Sequence, residues 1–382
     1  MSNILTILQR IVMENKSRTA IDGESPVTYS TLWSRTDAFA GGLQDRDITA
    51  GDAVAIGVSN PRAFLVALYG TLRNGCIPVT VPSEYSTRDI VSVLDATGAT
   101  AYVTDETPFL SILHGADDVR LAITVDCDAQ MGVELSTFLE NDGINSAGSR
   151  TGIDIVSQSD TDPGLIAYVG YEDREPLGIV YTHATLAAAA ERGGSHLEPD
   201  EPTHLGVLPL SNPLELLYGV TGTILDGGTY VPHISWDPET VRSILYTERI
   251  RTFVTPRQYE TLLSFDTPAE DAVAVIEPTS SSLESAVDGA ATRVRGRPET
   301  GLTHVRTPDD ADANRLGNPL PGIETRLIEG PSSGELAVAG PTTMDGYVDR
   351  PTLTEDRIRT IDGQRWVRTG LTECERTDIE SV

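Results

Sequence analysis

Gly51-Asp52-Ala53-Val54-Ala55-Ile56-Gly57-Val58, then Asn60-Pro61, then Phe64-Leu65-Val66-Ala67-Leu68, is the stretch on which the fold turns. Residues 54–58 form an apolar run of strand length. From Pro61 to Leu72 the apolar side chains Phe64, Leu65, Leu68 and Leu72 recur at helical spacing, and Gly75 closes the period. Residues 77–81 are a second apolar run. A strand, a helix and a strand joined by short links make a parallel pair with the helix as crossover. The alternation continues with a helix over 87–94, whose Asp89 suits the positive end of the helix, and a third strand over 101–104.

Upstream, Ile4, Leu5, Leu8, Ile11 and Val12 fall between polar Asn3, Thr6, Gln9 and Arg10, which makes a helical face and not a secretory leader. Downstream, a polar stretch over 141–162 leads into a second block of the same kind. Its expected strands are 166–169, 205–208, 229–231 and 252–254. Thr182 is placed to cap a helix running through 184–190, with Gly193-Gly194 as its stop, and a further helix is expected over 238–246. From Gly317 the pattern shortens to strands at 324–328 and 335–339 between Gly/Pro turns. The expected fold is α/β, with two parallel-sheet subdomains packed together (approximately 1–160 and 161–316) and a small β-rich subdomain (317–382).

The chain of 382 residues carries 57 acidic against 28 basic residues, a formal charge of −29, with 39% hydrophobic residues. The acids are scattered among strong apolar runs, so this is a globular chain and not an acidic tail. Among the basic residues there is one lysine, Lys16. Such a surface repels itself in dilute salt and is screened at high salt, and the composition resembles that of a salt-adapted, halophile-type protein, the alternative being an acidic protein with a cationic partner. It excludes nucleic-acid binding, which needs clustered cations. No apolar run approaches membrane-spanning length, so membrane insertion is not expected and a cytoplasmic location is. Cys76, Cys127 and Cys374 form no CxxC or Cys/His group and are expected to be buried apolar residues, not metal ligands.

The order of motifs resembles the adenylate-forming (AMP-binding) superfamily: acyl- and aryl-CoA synthetases, peptide-synthetase adenylation domains and luciferases. The likeness runs from Val27-Thr28-Tyr29 to Thr369-Gly370. It rests on residues 51–61, on Gly317-Asn318-Pro319-Leu320-Pro321-Gly322, on Gly334-Glu335-Leu336 with Gly340-Pro341 and Gly346-Tyr347, and on Trp366-Val367-Arg368-Thr369-Gly370. The resemblance implies the large domain of such an enzyme. It also implies a two-step reaction, in which a carboxylate displaces pyrophosphate from ATP and a thiol such as coenzyme A takes the acyl group. Cations and hydrogen-bond donors must then surround the phosphates.

The family's phosphate loop, Tyr-Thr-Ser-Gly-Ser/Thr-Thr-Gly-x-Pro-Lys-Gly, aligns without a gap on Tyr168-Val169-Gly170-Tyr171-Glu172-Asp173-Arg174-Glu175-Pro176-Leu177-Gly178, followed by Thr182-His183. The frame is kept. However, Tyr171 and Arg174 stand where the resemblance implies glycines, Glu172 and Asp173 where it implies hydroxyls, and Leu177 where it implies lysine. A carboxylate about 5 Å from a phosphate charge costs roughly 3 kcal/mol at an effective dielectric near 20. Arg174 offsets part of this but is no glycine turn.

The other family positions diverge in the same way. Residues 278–283 correspond only loosely to the nucleotide-contacting Gly-Ala-Pro segment. Thr300-Gly301-Leu302-Thr303-His304 puts a histidine in place of the magnesium-binding acid, Leu371 replaces the ribose-binding aspartate, and Asn212 replaces the aromatic or histidine of "PLFH". The family's mobile C-terminal domain with its second lysine would follow beyond Val382.

The expectation is therefore a degenerate homologue with no catalytic or metal-binding residue, unable to adenylate alone. It would act as a partner or regulatory subunit, with an active ligase homologue as a candidate companion. No cofactor is expected, and ATP or AMP, magnesium and coenzyme A would bind only if the family activity survives. The alternatives are a sensor with an apolar pocket near Asn212, Ser281, Gly301, Thr303 and His304, and a ligase completed by a separate lid protein. His183 is expected at a helix N-terminus, His304 solvated or hydrogen-bonded, and 280–282 in a turn.

Overall fold

The computed structural model describes residues 4–106, 109–127, 132–140, 154–197, 203–233, 235–247, 250–265, 272–278, 291–308, 310, 316–329 and 334–372. Ser281, Cys374 and the 280–282 turn lie outside them. The chain divides into two compact units. One comprises Met1–Ala187, Pro209–Pro213 and Tyr347–Asp349, the other Ala188–Leu208, Leu214–Gly346 and Arg350–Val382.

In the first unit, α1 (Ile4–Glu14) buries the five residues of its apolar face, Ile4, Leu5, Leu8, Ile11 and Val12. Helix α2 (Tyr29–Gln44) starts at Thr28, whose hydroxyl accepts the Thr31 amide at 3.2 Å. Strand β1 (Ala53–Gly57) is buried over its first four residues. Helix α3 (Pro61–Arg73) is capped by Asn60, whose Oδ1 accepts from the amides of Arg62 at 3.1 Å and Ala63 at 3.3 Å. Then follow β2 (Ile77–Thr80), α4 (Thr87–Thr97), β3 (Ala99–Thr104) and β4 (Leu121–Thr124). Ser86 and Asp89 form a reciprocal capping box on α4, and Gly98 ends that helix in the left-handed region (φ +57).

Strand β1 pairs in parallel with β2 and β3, and β3 with β4. Strand β5 (Pro163–Glu172) runs parallel to β2, joining Val79 to Ile166. The parallel crossover reading of residues 51–104 therefore holds. The departure comes next: β6 (Glu175–Thr182), which the sequence reading left unassigned, lies antiparallel to β5. Core side chains Val79, Ile90, Val93, Leu94, Tyr102, Ile166 and Tyr168 pack beneath this sheet.

Helix α5 spans His183–Leu197. The reading of Gly193-Gly194 as its stop is overturned, because the helix continues through both glycines. Gly193 is there for contact: a Cβ on it would lie 2.2 Å from the Tyr218 carbonyl oxygen. Tyr218 belongs to a π-helical segment, Glu215–Thr221.

The second unit carries β7 (Thr203–Gly206), β8 (Thr229–Pro232), α6 (Pro238–Thr247), β9 (Arg251–Val254), α7 (Pro256–Leu263), β10 (Val273–Pro278), β11 (Thr292–Arg297) and β12 (Gly301–Arg306). Its sheet order is β12-β11-β10-β9-β7-β8, parallel except for the β11–β12 pair. A separate antiparallel sheet follows, formed by β13 (Glu324–Glu329), β14 (Gly334–Ala339), β15 (Ile358–Ile361) and β16 (Gln364–Arg368) in the order β13-β14-β16-β15. Cys76 is buried, whereas Cys127, expected to be buried, is half-exposed in the bend that follows β4.

Candidate functional site

The segment that the resemblance aligns with the family's phosphate loop is a closed hairpin. Strands β5 and β6 stay paired to the turn, with Tyr171 opposite Pro176 and Glu172 opposite Glu175. Asp173 (φ 50) and Arg174 (φ 69) make the two-residue turn, both in the left-handed region, as a type I′ hairpin requires. Glu172, Asp173 and Arg174 point to solvent. A phosphate cradle needs successive backbone amides converging on one point, whereas this segment is two paired strands joined by a two-residue turn. Leu177, where the resemblance implies lysine, is buried.

Below the tip, the hairpin is held by its aromatic side chains. Gly170 (φ +98) forms a bulge, clasped by Tyr85, whose Oη accepts the Gly170 amide at 3.1 Å and donates to its carbonyl at 2.6 Å. Burial pushes the Tyr85 phenol well above its ordinary pKa, so it stays a donor. Tyr171 donates to Asp89 at 3.1 Å and packs on Tyr85 at a ring distance of 5.2 Å. Gly178 is needed where Tyr168 crosses it, since a Cβ there would sit 2.8 Å from the ring.

Thr182 caps α5, accepting the Thr185 amide at 3.2 Å, and His183 is the first helical residue. His183 is buried, which lowers its pKa against the opposing pull of Asp162 and Asp160. Asn212 sits half-buried in a short turn closed by its amide on the Pro209 carbonyl at 2.9 Å.

In the second unit, residues 300–304, which the resemblance aligns with the family's metal-binding segment, open β12. Gly301 (φ +67) leaves room for Tyr218, as a Cβ would lie 2.1 Å from its hydroxyl, and that hydroxyl accepts the Leu302 amide at 3.0 Å. Thr303 is fully buried and donates to the Arg295 carbonyl at 3.1 Å. His304 is buried, not solvated, with Nδ1 3.0 Å from the Thr303 hydroxyl. Burial, helped by the Arg295 charge, lowers its pKa to about 4, so the ring is neutral at pH 7. Where a metal needs a carboxylate, this chain has a neutral imidazole facing a hydroxyl. Among the described residues, no group of three or more His, Cys, Asp or Glu side chains is placed to hold a metal.

Leu371, at the ribose position, packs with Leu316 and Leu336 in a small apolar cluster. Its neighbours are tied down: Glu335 takes the Gly370 amide at 2.8 Å and is paired with Arg368, while Arg297 forks onto Glu299 with both bonds at 3.1 Å. The structure thus sets Gly301 against the Tyr218 hydroxyl and pairs His304 with Thr303 further along β12. Asn212 lies in the other unit. A buried His204–Glu215 pair, Nε2 to Oε1 2.9 Å, escaped the sequence reading. Glu215 opens the π-helical turn, a local distortion with no sequence signature.

A family model described as AMP-binding enzyme matches residues 8–348. The chain belongs to the AMP-binding enzyme family. It is 25% identical over 394 residues to a substituted indenyl-propanoyl:CoA ligase of Rhodococcus jostii (strain RHA1), covering 95% of this chain and 75% of that one. It is 26% identical over 385 residues to a 2-hydroxy-7-methoxy-5-methyl-1-naphthoate–CoA ligase of Streptomyces carzinostaticus, covering 92% and 68%. The N-terminal domain of FACL13 from Mycobacterium tuberculosis superposes with a TM-score of 0.78 at 19% identity, covering 97% of this chain and 96% of that one. That likeness gives the fold. Among the described residues, no helix of this family member is long and apolar enough to cross a membrane.

Proposed function

We propose that this AMP-binding family member does not adenylate a carboxylate by itself and acts as a partner or regulatory subunit, with an active homologue as the natural companion. The observation that carries the reading is the two-residue turn at Asp173-Arg174, which occupies the phosphate-loop position with Glu172 and Asp173 exposed beside it. Each carboxylate within about 5 Å of a phosphate charge would cost roughly 3 kcal/mol at an effective dielectric of 20. Buried Leu177 supplies no cation to offset it. Magnesium fares no better, because His304 offers a neutral ring already engaged with Thr303. The ribose position is filled by a leucine turned into a core. These residues do not fit Mg·ATP, so no adenylation step is written through them.

Calorimetric titration of Mg·ATP into the purified protein in molar KCl tests this directly. The expected result is no heat up to millimolar nucleotide and no ATP–pyrophosphate exchange. Micromolar binding would sink the proposal and restore the ligase reading.

A further inference from the structure

The first unit contains a cavity of roughly 570 Å³ whose lining shares with the family-like segments only Val27 and Asn60 with its helix start. Val66, Leu135 and Leu139 give it an apolar floor, and Arg35 of α2 and Arg62 of α3 stand in its wall. Among the described residues neither guanidinium has an acceptor, and the buried Nε of Arg62 is unsatisfied. This is unexpected in a chain with 57 acids for 28 basic residues. Other arginines are paired with carboxylates, as Arg73, Arg297, Arg326, Arg365 and Arg368 are, while exposed ones such as Arg174 are not among the described residues.

The acids lining the cavity do not fill the gap. Asp126 accepts from Asn60 Nδ2 at 3.1 Å, Glu134 is engaged by the Ser136 hydroxyl, and Glu140 is exposed. Two arginines against three acids leave the lining slightly negative, so charge alone would not draw an anion in. A ligand must combine the planar, paired acceptors that suit a guanidinium with apolar surface for the floor.

We propose that this cavity binds a small organic carboxylate, with its carboxylate on Arg62 and Arg35 and its apolar body over Val66, Leu135 and Leu139. The site stands apart from the nucleotide positions and does not depend on whether the protein adenylates.

Titration of the whole chain in molar KCl with phenylacetate, phenylacetamide and inorganic phosphate tests it, repeated on Arg62→Gln and Arg35→Gln. Arg35 is exposed on α2, so its replacement should leave the fold intact, as a circular-dichroism melt will verify. Phenylacetate should bind with a submillimolar Kd, the amide and phosphate at least tenfold more weakly, and each variant should lose at least tenfold for phenylacetate. The proposal is overturned if phenylacetate does not bind at millimolar concentration, if the amide or phosphate binds as tightly, or if both variants bind phenylacetate like the parent.

Discussion

At His304 burial decides the charge of a single side chain. The ring is 2% exposed and hydrogen-bonded, and its pKa falls to about 4 because the charged form would be buried next to Arg295. The unfolded ring binds its proton near pH 6.5 and the folded ring near 4, so between those values the unfolded state holds more protons. Stability is therefore full above pH 6.5 and is lost as pH falls toward 4, by about 3 kcal/mol in total for this group. His183, also lowered by burial, adds in the same direction. His304→Gln should lose little stability at pH 7 and flatten part of the acid-side slope. Denaturation midpoints of parent and variant at pH 7 and pH 4.5 check this, and equal slopes would refute it. That a histidine occupies the position was plain from the sequence; that it is neutral follows only from the burial.

At the scale of elements, two short segments reverse what local rules suggest. Gly193 lies inside a helix, where alanine would ordinarily gain about 1 kcal/mol. Here its missing Cβ makes room for the Tyr218 carbonyl, at 2.2 Å from where the Cβ would be. Gly193→Ala should therefore destabilise by about 1–3 kcal/mol, the usual range for overpacking. A urea midpoint at or above the parent's would contradict this. The hairpin tip errs in the other direction. Arg174 holds φ 69, a conformation that costs a non-glycine residue roughly 1–2 kcal/mol. Arg174→Gly, giving the Asp-Gly pair that type I′ turns prefer, should raise stability by about 0.5–1 kcal/mol. A lowered thermal midpoint would show that the turn is held in some other way. Neither Gly193 as a contact nor Asp173-Arg174 as a turn was legible, because one depends on a distant segment and the other lacks the usual Asn-Gly or Asp-Gly signature.

For the whole molecule, the charge of −29 dominates the response to solvent. Raising salt from 0.1 to 1 M shortens the screening length from about 10 to about 3 Å. The melting temperature should climb steadily with KCl over that range, and a flat or falling curve would remove the case for salt adaptation.

The sequence by itself determined the parallel crossover over 51–104, the amphipathic first helix and the family, because strand and helix periods and residue identity are local properties. Only the tertiary structure decided the rest. It closed residues 168–178 into a hairpin, turned Leu371 into an apolar cluster, neutralised His304 and left Arg35 and Arg62 without a partner among the described residues around a cavity. Each of these depends on which groups from distant parts of the chain surround a side chain, and burial, contact and pairing are fixed only when the chain is packed.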